Sequence, residues 1–394
     1  MVAGAVSAIA CPICASLRVE EFLRRRSVPA HQNLIIRDRA AALDIPKGDL
    51  ALSVCRDCGF VFNKAYDKRL LSYGGQYDND QASSPLFRDY LSEIIGHLIF
   101  EKKLRKKRIV EIGCGNGLFL KRLCERGGNS GLGFDPSYTG PRDFLGGRVR
   151  FAKKYFQDMD RTLSAEAVIC RHVIEHEPEP MTLLGAVRRY TGDDTRSKVF
   201  FETPSVEWIL EKGAFWDFFY EHCSYFSQSS LITAFQRSGF QVEKVGRTFG
   251  DQYIWLEAGS SGSADPETHP ERVQVLAERF AGWEKNLIGN WQDRISGFHS
   301  AGPVALWGAG AKGVTFANLL DPPGSLISCV IDLNPNKQGG FIPGTGHPIV
   351  SVQDIPGYKI ATAIVMNSNY TEECRNLLQE AGLDIRLVEI DQSP

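Results

Sequence analysis

The segment from Val110 to Gly117 reads Val-Glu-Ile-Gly-Cys-Gly-Asn-Gly and constrains the fold of this chain more than any other segment. An apolar strand leads into it, and helix-like sequence from Leu118 to Arg126 follows. Glycine residues allow the sharp turn from a strand into a helix and let the backbone approach a ligand closely. We therefore expect an α/β fold with a ligand site at this turn, although the glycine spacing alone also suits a dinucleotide.

Short apolar stretches bounded by turn residues alternate with helix-like stretches on both sides of this segment. A helix is predicted over residues 85–104. Strands are predicted over residues 108–112, 131–135, 167–170 and 199–202. Alternation of this kind favours a parallel sheet with helices on both faces, which is a Rossmann-like core.

Two acidic residues sharpen this interpretation, because Glu111 lies at the end of the strand before the turn and Asp135 ends the next predicted strand. A carboxylate at the second position can accept hydrogen bonds from both hydroxyls of a ribose. With these acids, the segment resembles the class I S-adenosylmethionine-dependent methyltransferases. We expect Cys114 to be a small wall residue rather than a nucleophile. The cofactor-binding candidates are Glu111, Gly113, Cys114, Gly115, Gly117, Asp135 and Arg171.

Four of the ten cysteines form two pairs with two residues between the thiols, Cys11 with Cys14 and Cys55 with Cys58. A tight turn at each pair can aim both thiolates at one tetrahedral ion, and four thiolates close its coordination shell. We therefore predict a structural Zn²⁺ site in an N-terminal module over residues 1–64. Two unrelated pairs of thiols are the alternative. Metal-binding thiols also favour a reducing, cytoplasmic location.

Two further segments place titratable side chains where an open α/β fold binds ligands. In the first, His172 and His176 flank Glu175 in a spacing that resembles a zinc-binding pattern, but no hydrolase motif accompanies it and we expect no metal there. If this segment is helical, both histidines lie on one face. In the second, Glu221 precedes His222 within an aromatic stretch, which suits a general base in a site closed to water. Packing roles are the alternative for both segments.

With these segments included, nearly the whole chain resembles the zinc-containing, three-domain C-methyltransferases that act on nucleotide-linked keto-deoxysugars. The resemblance implies that His222 is the base and that Glu221 assists it. Further catalytic candidates are Tyr220, His176 and Tyr77. Phe219 departs from the family, which has a tyrosine two residues before the glutamate. The implied reaction removes a proton next to a ketone, after which the enolate attacks the methyl group.

A second glycine-rich turn follows another predicted strand, and residues 306–313 read Leu-Trp-Gly-Ala-Gly-Ala-Lys-Gly. Asp332 ends the next predicted strand, and Lys312 lies where the amino end of a helix can hold a phosphate. In the resembled family this region has a Rossmann-like fold and covers the substrate. An NAD-dependent oxidoreductase, or a nucleotide-sugar binding protein that uses this turn, is the alternative.

A flexible linker is predicted over residues 259–266, which are rich in glycine and serine. We therefore expect a methyltransferase domain over residues 65–258 and a C-terminal Rossmann-like, substrate-covering domain over residues 259–394. After the linker, residues 271–295 predict one amphipathic helix. Its apolar face is expected to contain Leu276, Phe280, Trp283 and Leu287.

The charge balance limits the partners of the chain. With 45 basic and 47 acidic residues, the formal net charge is −2, which disfavours strong binding to nucleic acid. No apolar stretch is long enough to cross a bilayer, so we expect no membrane partner. A methyltransferase that acts on RNA or on another small molecule is an alternative to the nucleotide-sugar enzyme. The acceptor, the methylated atom and the oligomeric state are left open.

Overall fold

The computed structural model describes residues 9–158, 165–192, 196–261 and 266–391. These residues form three β-sheets with helices packed around and between them. None of the described helices is both long enough and apolar enough to span a bilayer.

The first sheet is antiparallel and has four strands. In spatial order they are Val19–Pro29, Lys47–Cys55, Val61–Asn63 and Ser224–Tyr225. Helix Arg39–Leu43 lies between the first two strands along the chain. The fourth strand comes from the region predicted as the methyltransferase domain, and Ser224 pairs with Phe62. The region with the cysteine pairs is therefore built into the rest of the protein rather than tethered to it.

The central sheet has eight strands, and five consecutive strands in its middle are parallel, as the sequence pattern predicts. In spatial order the strands are Gln241–Thr248, Tyr253–Gly259, Lys198–Pro204, Ala167–Arg171, Arg108–Ile112, Ser130–Phe134, Val149–Ala152 and Asp143–Phe144. The accompanying helices are Pro85–Phe100, Leu118–Gly127, Pro180–Thr191, Val206–Lys212 and Gln228–Arg237. The carboxyl ends of the parallel strands meet at one edge, which is where the first glycine-rich turn lies.

The third sheet is parallel throughout and has five strands. In spatial order they are Ile349–Val350, Ile327–Ile331, Val304–Trp307, Thr362–Val365 and Arg386–Glu389. The helices of this region are Ala311–Leu320, Ile355–Tyr358 and Thr371–Glu380. The second glycine-rich turn follows the middle strand, so both turns occupy the same place in their own sheets.

Helix Pro270–Ala301 precedes the third sheet and contacts strands of the first sheet as well. Phe280 is fully buried, and Leu287 packs against Gly213, where an added Cβ would lie 2.9 Å from a leucine methyl carbon. The prediction that Trp283 lies on the apolar face is wrong, because its side chain is 42% exposed. The guanidinium of Arg279 lies 4.5 Å from the centre of the indole ring.

One apolar cluster joins four parts of the chain. It contains Leu23 from the first sheet, Phe215 from the methyltransferase region, Phe280 from the long helix and Val304 from the third sheet. All four side chains are almost completely buried. Because burial of such side chains is the main force that holds regions together, the cluster fixes the third sheet against the rest of the protein.

Candidate active site

The first glycine loop, residues 113–117, turns the chain from strand Arg108–Ile112 into helix Leu118–Gly127. Gly113 has φ +70°, and an added Cβ there would lie 2.1 Å from a methyl carbon of Val173. The amide of Gly115 donates a hydrogen bond of 2.9 Å to Asp135 Oδ2. The loop after the first strand is therefore fixed to the end of the neighbouring strand, as the sequence predicts.

A cleft of about 1370 Å³, here called the large cleft, opens in front of this loop. Six of the seven cofactor-binding candidates line it: Glu111, Gly113, Cys114, Gly115, Asp135 and Arg171. Gly117 does not line it. Its φ is +80° and an added Cβ would lie 2.5 Å from the Phe151 ring, so this glycine allows the helix to start rather than a ligand to approach.

Glu111 is the unusual side chain of the large cleft. Its carboxylate is buried, and Oε2 receives no hydrogen bond within the described part of the chain. Burial raises the pKa of Glu111 to about 8, against the opposing effect of the Arg171 charge. A buried carboxylate oxygen without a donor is costly, so this atom suits a positively charged ligand group.

Arg171 is fixed by a partner that the sequence analysis did not identify. Its Nε donates a hydrogen bond of 2.8 Å to Glu202 Oε2, and its guanidinium lies 4.7 Å from the centre of the Phe119 ring. Burial would raise the pKa of Glu202, but the charges of Arg171 and His172 dominate and lower it to about 2. Glu202 ends a predicted strand at the ligand edge of the sheet, which is the signal that could have revealed it.

A second, smaller cavity of about 240 Å³ lies between the central and third sheets. Its wall includes His222, Phe219 and Glu175 on one side and Lys312 on the other. We call it the small cavity. It shares four wall residues with the large cleft, so the two spaces adjoin. The shared residues are Asn79, Asp80, Gln81 and His172.

His222 is buried against the ring of Phe219, with ring centres 4.1 Å apart, and against the ring of His176, at 4.7 Å. In the parts of the chain that are described, neither nitrogen of the His222 ring has a hydrogen-bond partner. Burial lowers the pKa of His222 well below its usual value, and the charges of His176 and His172 add to this effect. The imidazole is therefore neutral and able to accept a proton.

Glu221 is completely buried, and its carboxylate receives hydrogen bonds from four residues. The donors are Gln32 N at 2.7 Å, Asn33 N and Nδ2 at 3.3 Å each, His31 Nδ1 at 3.3 Å and Tyr77 Oη at 3.2 Å. Burial would raise the pKa of Glu221, but these hydrogen bonds and the nearby histidine charges lower it. Glu221 therefore anchors residues 31–33 of the N-terminal module to the site. No short-range sequence signal marks that contact.

Of the three remaining catalytic candidates, two lie beside Glu221 and one does not. Tyr77 bonds to Glu221, and His176 Nδ1 lies 3.0 Å from the carbonyl oxygen of Glu221, so both belong to the site. Tyr220 does not, which corrects its prediction as a catalytic residue. Its hydroxyl accepts a hydrogen bond of 2.7 Å from the amide of Asp67, its ring stacks on Tyr66, and it lines neither the large cleft nor the small cavity.

His172 and His176 would share one face only if their segment were an α-helix, and it is not. His172 has φ +53°, and only a short 3₁₀ turn, Ile174–His176, follows it. The His172 ring lies between Glu202 and Glu175, with nitrogen-to-oxygen distances of 3.2 Å and 3.4 Å. Burial would lower the pKa of His172, but the two carboxylates dominate and raise it to about 9.

The four paired cysteines come together, although the alternative of two unrelated pairs was open. The sulfur atoms of Cys11 and Cys58 lie 3.6 Å apart, and those of Cys14 and Cys55 lie 3.4 Å apart. All four sulfurs are within 4.8 Å of one another. Since Zn–S bonds of about 2.3 Å in a tetrahedron place sulfurs about 3.8 Å apart, this cluster fits a zinc ion.

The second glycine loop, residues 308–313, faces the small cavity. Asp332 Oδ2 accepts a hydrogen bond of 2.6 Å from the amide of Ala309, as Asp135 does from the first loop. Lys312 is already paired, because its Nζ lies 3.1 Å from Asp217 Oδ2 and donates to Gln252 Oε1 at 2.9 Å.

Two family models match the chain. Residues 86–245 match a methyltransferase domain, and residues 290–383 match a C-methyltransferase C-terminal domain. This chain contains a class I S-adenosylmethionine-dependent methyltransferase domain and resembles the C-methyltransferases. The second match covers four of the five strands of the third sheet, so the region with the second glycine loop also resembles C-methyltransferases.

Among curated proteins, the chain is similar to the C-methyltransferase NovU of Streptomyces niveus, with 27% identity over 225 residues, 53% of each protein. It is also similar to the tRNA U34 carboxymethyltransferase of Sulfurimonas denitrificans, with 27% identity over 119 residues, 26% of this chain and 37% of the other. The chain spans about half the length or less of these curated relatives.

Solved methyltransferase structures overlap with about half of the chain. The magnesium protoporphyrin IX methyltransferase of Synechocystis has a TM-score of 0.38 and 18% identity, and the match covers 48% of this chain and 91% of that one. For the 1,6-didemethyltoxoflavin-N1-methyltransferase of Burkholderia thailandensis the TM-score is 0.35, with 14% identity and coverage of 45% and 79%.

Proposed function

We propose that this protein transfers a methyl group from S-adenosylmethionine to a carbon next to the ketone of a nucleotide-linked keto-deoxysugar. The observation that carries the proposal is the position of His222, a neutral buried imidazole in the wall of the small cavity where that cavity adjoins the large cleft. The two family matches and the similarity to a C-methyltransferase support carbon as the methylated atom.

The residues around the first glycine loop fit S-adenosylmethionine. The unpartnered oxygen of Glu111 suits the ammonium group, and Asp135 beside Gly115 suits the ribose hydroxyls. When bound there, the cofactor would supply an electrophilic methyl group attached to sulfur. The side chains of the small cavity would orient the acceptor and remove its proton.

In our proposal His222 removes the proton from the carbon next to the ketone. The ring of Phe219 lies against it and excludes water from one side. No hydrogen bond joins the Glu221 carboxylate to the His222 ring within the described residues, so Glu221 assists indirectly. Its carbonyl oxygen holds His176, and its carboxylate holds Tyr77 and residues 31–33. We therefore assign Glu221 a positioning role.

The test is mass spectrometry of keto-deoxysugar nucleotides incubated with the protein and a methyl donor labelled at the methyl group. We expect labelled product with its methyl group on carbon. The His222→Ala variant should lose at least ~100-fold in turnover, as expected for a general base, and should bind S-adenosylhomocysteine as the wild type does. The matched control is His269→Asn, because His269 is exposed. Full turnover by His222→Ala would show that the base lies elsewhere.

We also propose that Cys11, Cys14, Cys55 and Cys58 bind a structural Zn²⁺ in the reducing cytoplasm. The distances between sulfurs support this, and Cys11, Cys55 and Cys58 belong to an apolar cluster that reaches into the central region. Metal analysis should find one zinc per chain, and the Cys55→Ser variant should lose the zinc together with several kcal/mol of stability. A zinc-free protein that melts at the same temperature as the wild type would contradict the proposal.

A further inference from the structure

A second group of metal-ligating side chains lies outside the four cysteines, in the wall between the large cleft and the small cavity. It consists of Glu175, His176 and His222, whose ligand atoms lie within 4.8 Å of one another. Two of these residues belong to the segment where the sequence led us to expect no metal, and His222 joins them from a distant turn. Glu175 and His222 line the small cavity, and His176 lines the large cleft. We propose that these three residues form a second metal site, which binds a divalent transition-metal ion and thereby blocks the base.

A buried carboxylate oxygen without a hydrogen bond marks this site. Glu175 is 1% exposed, and its Oε1 receives no hydrogen bond within the described ranges, whereas Oε2 accepts one of 3.1 Å from Thr203. The nearest basic group is His172, whose Nδ1 lies 3.4 Å away while its Nε2 faces Glu202. The 3.4 Å contact with His172 is too long for a strong hydrogen bond, so Oε1 keeps a lone pair free for a metal ion.

The two histidines are also set up as ligands. Nδ1 of His176 is engaged by the carbonyl oxygen of Glu221, at 3.0 Å, and by the hydroxyl of Tyr73, at 3.1 Å, which leaves Nε2 for an ion. A backbone carbonyl at the other ring nitrogen is the usual arrangement for a metal-ligating histidine. His222 has both ring nitrogens without a partner among the described residues.

The donor set selects the ion. Two imidazoles and one carboxylate suit Zn²⁺, Co²⁺ or Ni²⁺, whereas the cysteine cluster with four sulfurs suits Zn²⁺ as a closed structural site. Bonds of about 2.1 Å would require the ligand atoms to converge by about 1 Å. Three protein ligands leave at least one coordination position for water. The site would therefore be exchangeable, unlike the cysteine site.

The consequence rests on the proposed function. A lone pair of His222 that binds a metal ion cannot also accept a proton, so metal binding and proton removal exclude each other. We expect Ni²⁺ to inhibit methyl transfer as it fills this site, and a chelator too weak to remove the cysteine-bound zinc to restore activity.

The binding test uses the full chain that carries one equivalent of zinc, at the cysteines, and titrates it with Ni²⁺ alone in a calorimeter. We expect one further equivalent to bind. Glu175→Gln and His176→Asn should each weaken that binding at least ~10-fold, and the control His269→Asn should leave it unchanged. An absorption band from thiolate-bound nickel would reveal exchange at the cysteines, and no such band is expected during the first equivalent.

Affinity for S-adenosylhomocysteine, measured for each variant, shows that the variant is folded. Absence of a further equivalent in the wild type, or binding that survives all three of Glu175→Gln, His176→Asn and His222→Asn, would overturn the second metal site. Because the titration needs no acceptor, its result is independent of whether the keto-sugar assignment holds. If the second metal site and the keto-sugar assignment were both wrong, the nickel titration and the methyl-transfer assay would each give its own negative result.

Discussion

The two glycine loops of this protein have nearly the same sequence pattern and different surroundings. Each follows a parallel strand, and each donates an amide hydrogen bond to an aspartate at the end of the next strand, Gly115 to Asp135 and Ala309 to Asp332. The first opens on a cleft of about 1370 Å³ and the second on a cavity of about 240 Å³. The shared pattern therefore specifies the turn and not the ligand.

The residue two positions before each loop explains part of this difference. It is Glu111 before the first loop and Leu306 before the second, and both are buried. The carboxylate of Glu111 has an oxygen without a donor, whereas Leu306 belongs to the apolar cluster that joins the third sheet to the rest of the protein. The first loop can therefore bind a cation. The second loop instead rests on an apolar side chain that packs in the core.

The largest effect should come from a methyl group added to each loop. At Gly113, with φ +70°, the new Cβ would lie 2.1 Å from Val173, whereas at Gly310 the nearest atom is 3.9 Å away. We expect Gly113→Ala to weaken S-adenosylhomocysteine binding ~100-fold, from clash and backbone strain together, and Gly310→Ala to leave it unchanged. Calorimetry on both variants checks this. Equal losses would mean that the two loops do not differ in the way we describe.

Removal of the Glu111 charge should have the next largest effect. Since a hydrogen bond to a charged group contributes about 1.5–3 kcal/mol, we expect Glu111→Gln to weaken S-adenosylhomocysteine binding by roughly 10- to 100-fold. The equivalent position of the second loop, tested with Leu306→Met, should leave that affinity unchanged. Wild-type affinity in Glu111→Gln would remove the feature that distinguishes the first loop.

The pKa of Glu111 gives a pH test on the ligand-free protein. Its folded value of about 8 is above the ordinary value, so between pH 5 and pH 8 the folded state binds more protons than the unfolded state. The contribution of Glu111 to the free energy of unfolding is therefore present at low pH and lost as pH rises through this window. We measure the free energy of unfolding with urea. Relative to the wild type, its value for Glu111→Gln should rise by about 1–3 kcal/mol between pH 5 and pH 8. A difference that is independent of pH would contradict the raised pKa.

The smallest effect should come from the paired aspartates. Asp135→Asn should weaken S-adenosylhomocysteine binding about 10-fold, because a charge-assisted contact to the ribose is lost while the amide can keep part of the loop contact. Asp332→Asn should leave the affinity unchanged, since distant sites act independently. Comparable losses in both variants would indicate that the second loop also contributes to the cofactor site.

The parts of this fold that could be predicted are those encoded in neighbouring residues. The strands of the central sheet, the turn at residues 113–117 and the two cysteine pairs are local patterns, and the structure reproduces the strand ends to within one or two residues. The location of Glu111 and Asp135 beside the first loop follows from their positions at the ends of predicted strands. The burial of Glu111 and its missing hydrogen bond do not, because these depend on what packs above it.

The region around His222 was less predictable, because its contacts join residues that are far apart in sequence. Glu221 depends on donors at residues 31–33, and His176 meets His222 only because two separate turns pack together. Tyr220 stands next to Glu221 in sequence, yet its side chain points to Asp67. Residues 220 and 221 lie in a turn, and their side chains meet different partners, so adjacency to a site residue is poor evidence for membership of the site.

The central claim is that the first loop, and not the second, binds the nucleotide-containing cofactor of this protein. Calorimetric titration of the wild-type chain with S-adenosylhomocysteine and, separately, with NAD tests it most directly. We predict one equivalent of S-adenosylhomocysteine bound and no heat from NAD. Binding of NAD without any binding of S-adenosylhomocysteine would contradict the claim.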